Sequence, residues 1–354
     1  MSTYLSNRFK GLKVYEPGEQ PQDRSYIKLN TNESPFPPSP AVLDALNRDE
    51  AAKLNLYPDP DTRSARTAIG AAYGLQPENV ILGNGSDELL AFAFQAYCDA
   101  STPAVFADIT YGFYSVFARI NNVGAKIIPL DGSFRLNPPD YANAGGTVFI
   151  ANPNAPTGLA LELDDIEYIV RENCGNIIVI DEAYVDFGAE SASRLVSTYK
   201  NLIVVHTMSK SKNLAGARIG YAFANVGLIG DLNAMKFSFN PYNVNKLSLL
   251  AASAAFEDAG YYAACVGKIM KTRARTALEL TKRGFDVLDS KTNFLFAKPG
   301  FTGGESYYKG LKERGVLVRH FSQERIKDFV RITIGDESQM DALVTATDSM
   351  MRLQ

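Results

Sequence analysis

Apolar residues fall along this chain in two alternating rhythms. Short unbroken runs have the length of strands buried on both faces: VILG (80–83), AVFA (104–107), AKIIPL (125–130), TVFIA (147–151), NIIVID (176–181), NLIVVHT (201–207) and IGYAFA (219–224). Between them lie stretches with helical spacing at 41–46, 65–73, 85–97, 111–120 and 163–172. Strand and helix in alternation predict a mostly parallel central sheet with helices on both faces, an α/β large domain. After residue 245 the run KLSLLAASAAFED opens a long helical region. Two strand-like pieces, NFLFAKP and VRITIG, and a last helix over 338–351 then predict a smaller α/β lobe. The first forty residues, rich in Pro, Asn and Glu and ending in PFPPSP, read as an extended arm. The expected organisation is an arm (1–40), a large domain (41–245) and a small C-terminal domain (246–354).

A chain of 354 residues, 46% hydrophobic and 21% charged, has enough material for a large core and a second lobe. A net charge of −3 supplies no basic field for nucleic acid or an anionic membrane. No apolar run reaches the length of a membrane span, and the polar first ten residues carry no secretion signal, so a cytoplasmic protein is expected. Three well-separated cysteines argue against a disulfide framework, and two histidines argue against a zinc site; no metal is expected. Chemistry then falls to Lys, Arg, Tyr, Asp and Asn.

The segment TMSKSKNLAGARIGY (207–221) concentrates those types. Thr207, Ser209 and Arg218 offer two hydroxyls and a guanidinium for an anion, with Lys210 among them. A lysine whose charge is disfavoured becomes a nucleophile for carbonyl carbon. Lys212 competes for that role; Lys210 is preferred because Ser209 directly precedes it and Arg218 follows in the same segment. Upstream, NIIVID ends in Asp181, where the carboxyl end of a parallel strand presents side chains to a site. A lone aspartate there is by default a helix cap. Together with Lys210 it answers what pyridoxal phosphate requires: an amine for the aldehyde, an acid for the pyridine nitrogen and a cradle for the phosphate. GNGSDE (83–88) is a strand-to-helix turn whose amides at Gly85, Ser86 and Asp87 would face that phosphate. Tyr184 is a candidate donor to the ring's phenolic oxygen, and Tyr111 a stacking partner for the ring.

These segments, with VYEPGEQP (14–21), IKLNTNESPFPPSP (27–40), LYPDP (56–60), NPNAPTG (152–158), DEAYVDF (181–187) and VRITIG (330–335), resemble the fold-type I aminotransferases over nearly the whole chain. Within that group the resemblance runs furthest to the histidinol-phosphate aminotransferases. It implies Lys210 as the Schiff-base lysine, Asp181 on the pyridine nitrogen, Tyr184 on the phenolic oxygen and Tyr111 over the ring. It also implies Ser86, Asp87, Thr207, Ser209 and Arg218 around the phosphate, and a homodimer in which Tyr57 reaches the phosphate of the neighbouring subunit. Relatives often carry asparagine directly before Pro-Thr-Gly, where it bonds the phenolic oxygen; here that residue is Ala155, and Asn154 is expected to substitute.

By the same resemblance Arg331 clamps the substrate carboxylate. Arg319 adds a second cation suited to a phosphate. Tyr15 and Asn32 are expected to line the substrate pocket. The implied reaction passes an amino group between histidinol phosphate and 2-oxoglutarate. Aromatic-amino-acid transamination and threonine-phosphate decarboxylation share much of the pattern, since fold and cofactor do not fix the reaction. A ligand-sensing regulator would need a DNA-binding segment, which the short proline-rich arm does not supply.

Overall fold

The computed structural model describes residues 2–352. From the arm, β1 (Ile27–Lys28) leads to α1 (Pro40–Ala45), α2 (Arg48–Ala51) and α3 (Arg63–Tyr73). The central region then runs β2 (Val80–Asn84), α4 (Ser86–Tyr97), β3 (Ala104–Ala107), α5 (Phe113–Asn121), β4 (Ala125–Ile128) and β5 (Thr147–Ala151). It continues with α6 (Leu163–Arg171), β6 (Ile178–Asp181), β7 (Leu202–Thr207), β8 (Ile219–Ala224) and α7 (Val226–Phe239). Two long helices, α8 (Lys246–Glu257) and α9 (Ala259–Lys282), precede β9 (Asp286–Val287), β10 (Phe294–Lys298) and α10 (Gly304–Glu313). The chain closes with β11 (Val316–Leu317), β12 (Arg319–His320), β13 (Val330–Thr333) and α11 (Glu337–Met351).

Strands β2 to β8 form one seven-stranded sheet in the order β2-β8-β7-β6-β5-β3-β4. Only β8 runs against its neighbours β2 and β7, so six strands point the same way. Every residue of β3, β5, β6, β7 and β8 is buried. That is why their sequences are continuous apolar runs rather than alternations. One face packs on α3, α6 and α8 and the other on α4, α5 and α7, giving three layers. The second sheet, β12-β13-β10-β9, is antiparallel and packs beneath α9, α10 and α11. Strand β1 pairs in parallel with β11, tying the arm to this lobe.

Helix α8 departs from the organisation expected for a division at 245. Ala251, Ala252, Ala254 and Ala255 sit in the same apolar core as the large sheet, because four small side chains let α8 lie close against it. Helix α7 is absent from the helices expected on periodicity: Leu228, Ile229 and Leu232 are buried, yet Val226, Phe237 and Phe239 are exposed, so no polar face marks its pitch. No helix among the described residues is long and apolar enough to cross a membrane.

Candidate active site

Because β2, β6 and β7 are codirectional, their carboxyl ends share one edge of the sheet, and the start of antiparallel β8 joins them there. Over that edge lies a cleft of about 890 Å³, closed on its far side by the arm and by β12 and β13. Its lining includes Tyr15, Asn32, Ser86, Asp87, Tyr111, Asp181, Tyr184, Thr207, Ser209, Lys210, Arg218, Arg319 and Arg331.

Asp181 lines the cleft from the end of β6. It is 4% exposed and accepts from the Tyr114 hydroxyl at 3.1 Å and the Ala183 N–H at 3.2 Å, both neutral donors. Burial, with the Asp87 carboxylate adding to it, pushes the Asp181 pKa to about 7. A buried acid held this way is a site for a cation or a protonated ring nitrogen. Tyr114, its hydroxyl partner, was not singled out by sequence; its only sequence signal is its place on the buried face of α5, three residues after Tyr111.

Lys210 lines the same cleft, its Nζ 3.3 Å from the Thr31 carbonyl and 5.9 Å from the Tyr184 ring centre. Burial, followed by the nearby Arg331 charge, lowers its pKa to about 8, so a useful fraction is unprotonated at neutral pH. Lys212 points elsewhere: its Nζ lies over the Phe256 and Tyr262 rings at 5.1 and 5.3 Å, outside the cleft. Two lysines separated by one residue in this turn therefore reach different surroundings.

An anion cradle surrounds the start of α4. Gly85 takes φ +79°, and a side chain there would come within 2.6 Å of Arg218 Nη2. A Cβ on Gly220 would run into the Gly85 carbonyl and the Ser86 amide. The backbone, the guanidinium and the helix N-terminus thus converge because neither glycine carries a side chain. Thr207 and Ser209 close the ring, the Ser209 N–H donating to Thr207 Oγ1 at 3.2 Å. Asp87 accepts from Tyr111 at 2.7 Å and faces Arg218 at 3.6 Å, which holds both side chains in the cleft lining.

On the small-lobe side, Arg319 of β12 and Arg331 of β13 are register partners. Arg331 donates to the Asn30 carbonyl at 3.2 Å, while its Nε is buried without a partner. Arg319 donates to the Pro17 and Glu16 carbonyls at 3.0 and 2.9 Å, which draws the arm over the cleft. Tyr15 of the arm stacks on Phe113 at 4.2 Å. One residue expected at the site turns away from it, and Tyr57, expected at the partner's site, lies outside this one. Asn154 spends its amide on Ile109 O, Thr157 Oγ1 and Thr110 Oγ1 at 2.9–3.0 Å, behind the cleft, and it is Ala155 that faces in. Tyr57 is 79% exposed and stacks on Tyr242 at 4.5 Å, away from this subunit's cleft.

A buried acid, a partly deprotonated lysine and an anion cradle in one cleft fit a phosphorylated pyridine aldehyde. The sequence pattern of Aminotransferase class I and II matches residues 24–346, and the chain belongs to that class. It is 46% identical over 345 residues to the histidinol-phosphate aminotransferase of Brachyspira hyodysenteriae, covering 97% of this chain and 98% of that one. To that of Marinomonas it is 45% identical over 353 residues, 99% and 100% of the two chains. Within the class, then, it is a member of the histidinol-phosphate aminotransferase family. The solved histidinol-phosphate aminotransferase of Sinorhizobium meliloti, in complex with pyridoxal-5'-phosphate, shares the fold with a TM-score of 0.87 over 99% of this chain and 98% of that one, at 24% identity.

Proposed function

We propose that this cleft is the active site of a pyridoxal-phosphate-dependent transaminase that interconverts histidinol phosphate and 2-oxoglutarate with imidazole-acetol phosphate and glutamate, in histidine biosynthesis. The observation that carries the reading is that a partly deprotonated Lys210 and a buried, proton-holding Asp181 line one cleft together with a phosphate cradle at Gly85, Ser86 and Arg218. Bound there, pyridoxal phosphate supplies a carbonyl carbon that reacts with amines and a pyridinium ring that accepts negative charge from the adjacent substrate carbon. Asp181 holds a proton at the ring nitrogen. Ser86 and Asp87 through their N–H groups, with Thr207, Ser209 and Arg218, would hold the phosphate end, Tyr111 would cover the ring and Tyr184 would donate to its phenolic oxygen. Lys210 Nζ takes the proton from the substrate Cα and returns one, as its lowered pKa suits it to do.

Arg331, with an unpartnered Nε, suits a carboxylate or phosphate, and Arg319 beside it adds a second anion-binding fork. The aromatic pair Tyr15 and Tyr111, which lines the cleft with Phe113 stacked behind Tyr15, favours a flat ring, which supports imidazole and leaves phenylalanine as a second reading. Turnover of histidinol phosphate, phenylalanine and threonine phosphate, compared as kcat/KM, separates the candidates. Lys210→Ala is expected to lose the violet absorbance of the cofactor-loaded protein and all turnover. Retained absorbance would point to another lysine and refute the assignment.

We also infer a homodimer. Leu43, Leu54, Leu56, Tyr57, Phe237 and Phe239 are exposed apolar side chains on α1, α7 and the turn after α2, and the Tyr57–Tyr242 stack joins that turn to the end of α7. A second copy covering this face would bring Tyr57 towards the partner's phosphate. The division between the two lobes we assign to the α8–α9 junction rather than to residue 245, since α8 packs with the large sheet.

A further inference from the structure

Tyr184 shares the cleft lining with Ala155, which brings no donor there, and Asn154 is turned away. Another asparagine approaches the same phenol from the arm. Asn32 is 1% exposed and donates through Nδ2 to the Tyr184 hydroxyl oxygen at 2.9 Å. Its remaining groups are committed inside the protein. The Asn32 N–H donates to Thr333 Oγ1 at 2.9 Å, Thr333 Oγ1 donates back to Asn32 Oδ1 at 3.0 Å, and the Asn32 carbonyl accepts from Asn293 Nδ2 at 3.0 Å.

The direction of this chain follows from counting protons. Thr333 Oγ1 already accepts from the backbone of Asn32, so its own proton goes to Oδ1, and Nδ2 is left to face the phenol. A phenol oxygen that accepts from Nδ2–H keeps its own proton free to be donated, and donates it more strongly. The backbone is shaped for the arrangement as well: Asn32 adopts φ +56°, a conformation open to Asn, Asp and Gly and strained for most others.

We propose that Asn32 is a positioning residue for Tyr184: the Thr333–Asn32–Tyr184 chain fixes the phenol as a hydrogen-bond donor into the cleft, giving from the arm the polar support that Ala155 lacks. Asn32 thus acts through Tyr184 rather than on the substrate. Burial raises the Tyr184 pKa, while Arg331 and the Asn32 amide oppose the rise, which agrees with a phenol prepared to donate.

The inference rests on the pyridoxal-phosphate reading, and its test separates the two. In the cofactor-loaded enzyme, the pH midpoint between the violet and near-ultraviolet bands reports how well negative charge on the ring oxygen is stabilised. Asn32→Gly removes the donor yet tolerates the positive φ; Asn32→Asp keeps the shape and replaces the donor by an acceptor that draws the Tyr184 proton away. Both are expected to raise the midpoint, by about half to one pH unit for Gly and at least as much for Asp. The KM for histidinol phosphate should move less than about twofold while kcat falls about tenfold. Tyr184→Phe should raise the midpoint too, and adding Asn32→Gly to it should change nothing further, since residues acting through one another are not additive. Thr333→Val, which removes only the orienting hydroxyl, should give a smaller rise in the same direction and covers the case that Asn32 variants fail to fold. An unmoved midpoint with a raised KM would assign Asn32 to the substrate and overturn the proposal. So would an Asn32→Gly effect that persists at full size in Tyr184→Phe. A wild-type protein with no such bands would instead overturn the cofactor reading beneath it.

Discussion

Asp181 sets the fold against the chemistry, and the conflict can be measured. Its carboxyl ionises near 3.8 in an unfolded chain, whereas burial in the folded protein holds its proton to about pH 7. Each pKa unit corresponds to about 1.4 kcal/mol, so ionising Asp181 inside the cofactor-free fold costs about 4 kcal/mol. The sign is that of a folded state binding the extra proton: Asp181 costs no stability below pH 4, stability falls as pH rises from 4 to 7, and the full penalty stands above. Asp181→Asn removes the titration. The amide oxygen still accepts from Tyr114, but its NH2 meets the Ala183 N–H, a loss of about 1 kcal/mol. The stripped variant should therefore be less stable than wild type by about 0.5 kcal/mol at pH 4, equal to it near about pH 4.5, and more stable by about 3 kcal/mol at pH 8. Urea denaturation of both cofactor-free proteins at intervals across that range reads the difference directly. Added pyridoxal phosphate should invert the order at pH 8, because a protonated ring nitrogen answers the wild-type carboxylate and ligand at a thousand times Kd adds about 4 kcal/mol to the protein that binds it. Parallel stability curves from pH 4 to 8 would refute the reasoning, for they would mean that Asp181 ionises in the fold as it does in water.

Other expectations follow from the same geometry. Gly220→Ala forces a Cβ against the Gly85 and Ser86 backbone and should cost about 1–3 kcal/mol of stability while weakening cofactor binding about tenfold or more, read by denaturation and by a fluorescence titration. Arg319→Ala removes the two hydrogen bonds that hold Glu16 and Pro17; proteolysis should accelerate between residues 13 and 18, and the KM for histidinol phosphate should rise about 10- to 100-fold. If Tyr57 serves the partner's site, mixing Lys210→Ala with Tyr57→Phe subunits should yield hybrid dimers with one intact site and about a quarter of wild-type turnover, above the sum of the parents measured alone.

The large sheet was readable because strands buried on both faces have no polar positions to interrupt them: the predicted runs at 104–107, 147–151 and 219–224 coincide with β3, β5 and β8. Helix α7 escaped for the converse reason. Its exposed side carries Val226, Phe237 and Phe239 among only a few polar residues, as suits a face that a second copy would cover, so there was no amphipathic period to read. The two-residue strands β11 and β12 are too short to carry a pattern, yet β12 is what sets Arg319 opposite Arg331.

Within the cleft, what sequence conveyed was residue type near the right strand ends; what it could not convey was direction. The neighbours Ser209 and Arg218 gave Lys210 a preference over Lys212, but it is the turn after β7 that sends one to the Thr31 carbonyl and the other onto the Phe256 and Tyr262 rings. The pair Asn154 and Ala155 shows the same limit with a different outcome. A loop residue's heading depends on what its neighbours can offer, and Ile109, Thr110 and Thr157 offer Asn154 a complete set of partners behind the cleft. An amide so well satisfied has no reason to turn inward, where it would leave those buried groups unpaired. The polar support for Tyr184 then has to come from another part of the chain, and Asn32 reaches it only because β1 and Thr333 bring the arm to the small-lobe sheet. A residue pattern read locally finds the gap at 155; the residue that fills it is found only once the arm and β13 are seen side by side.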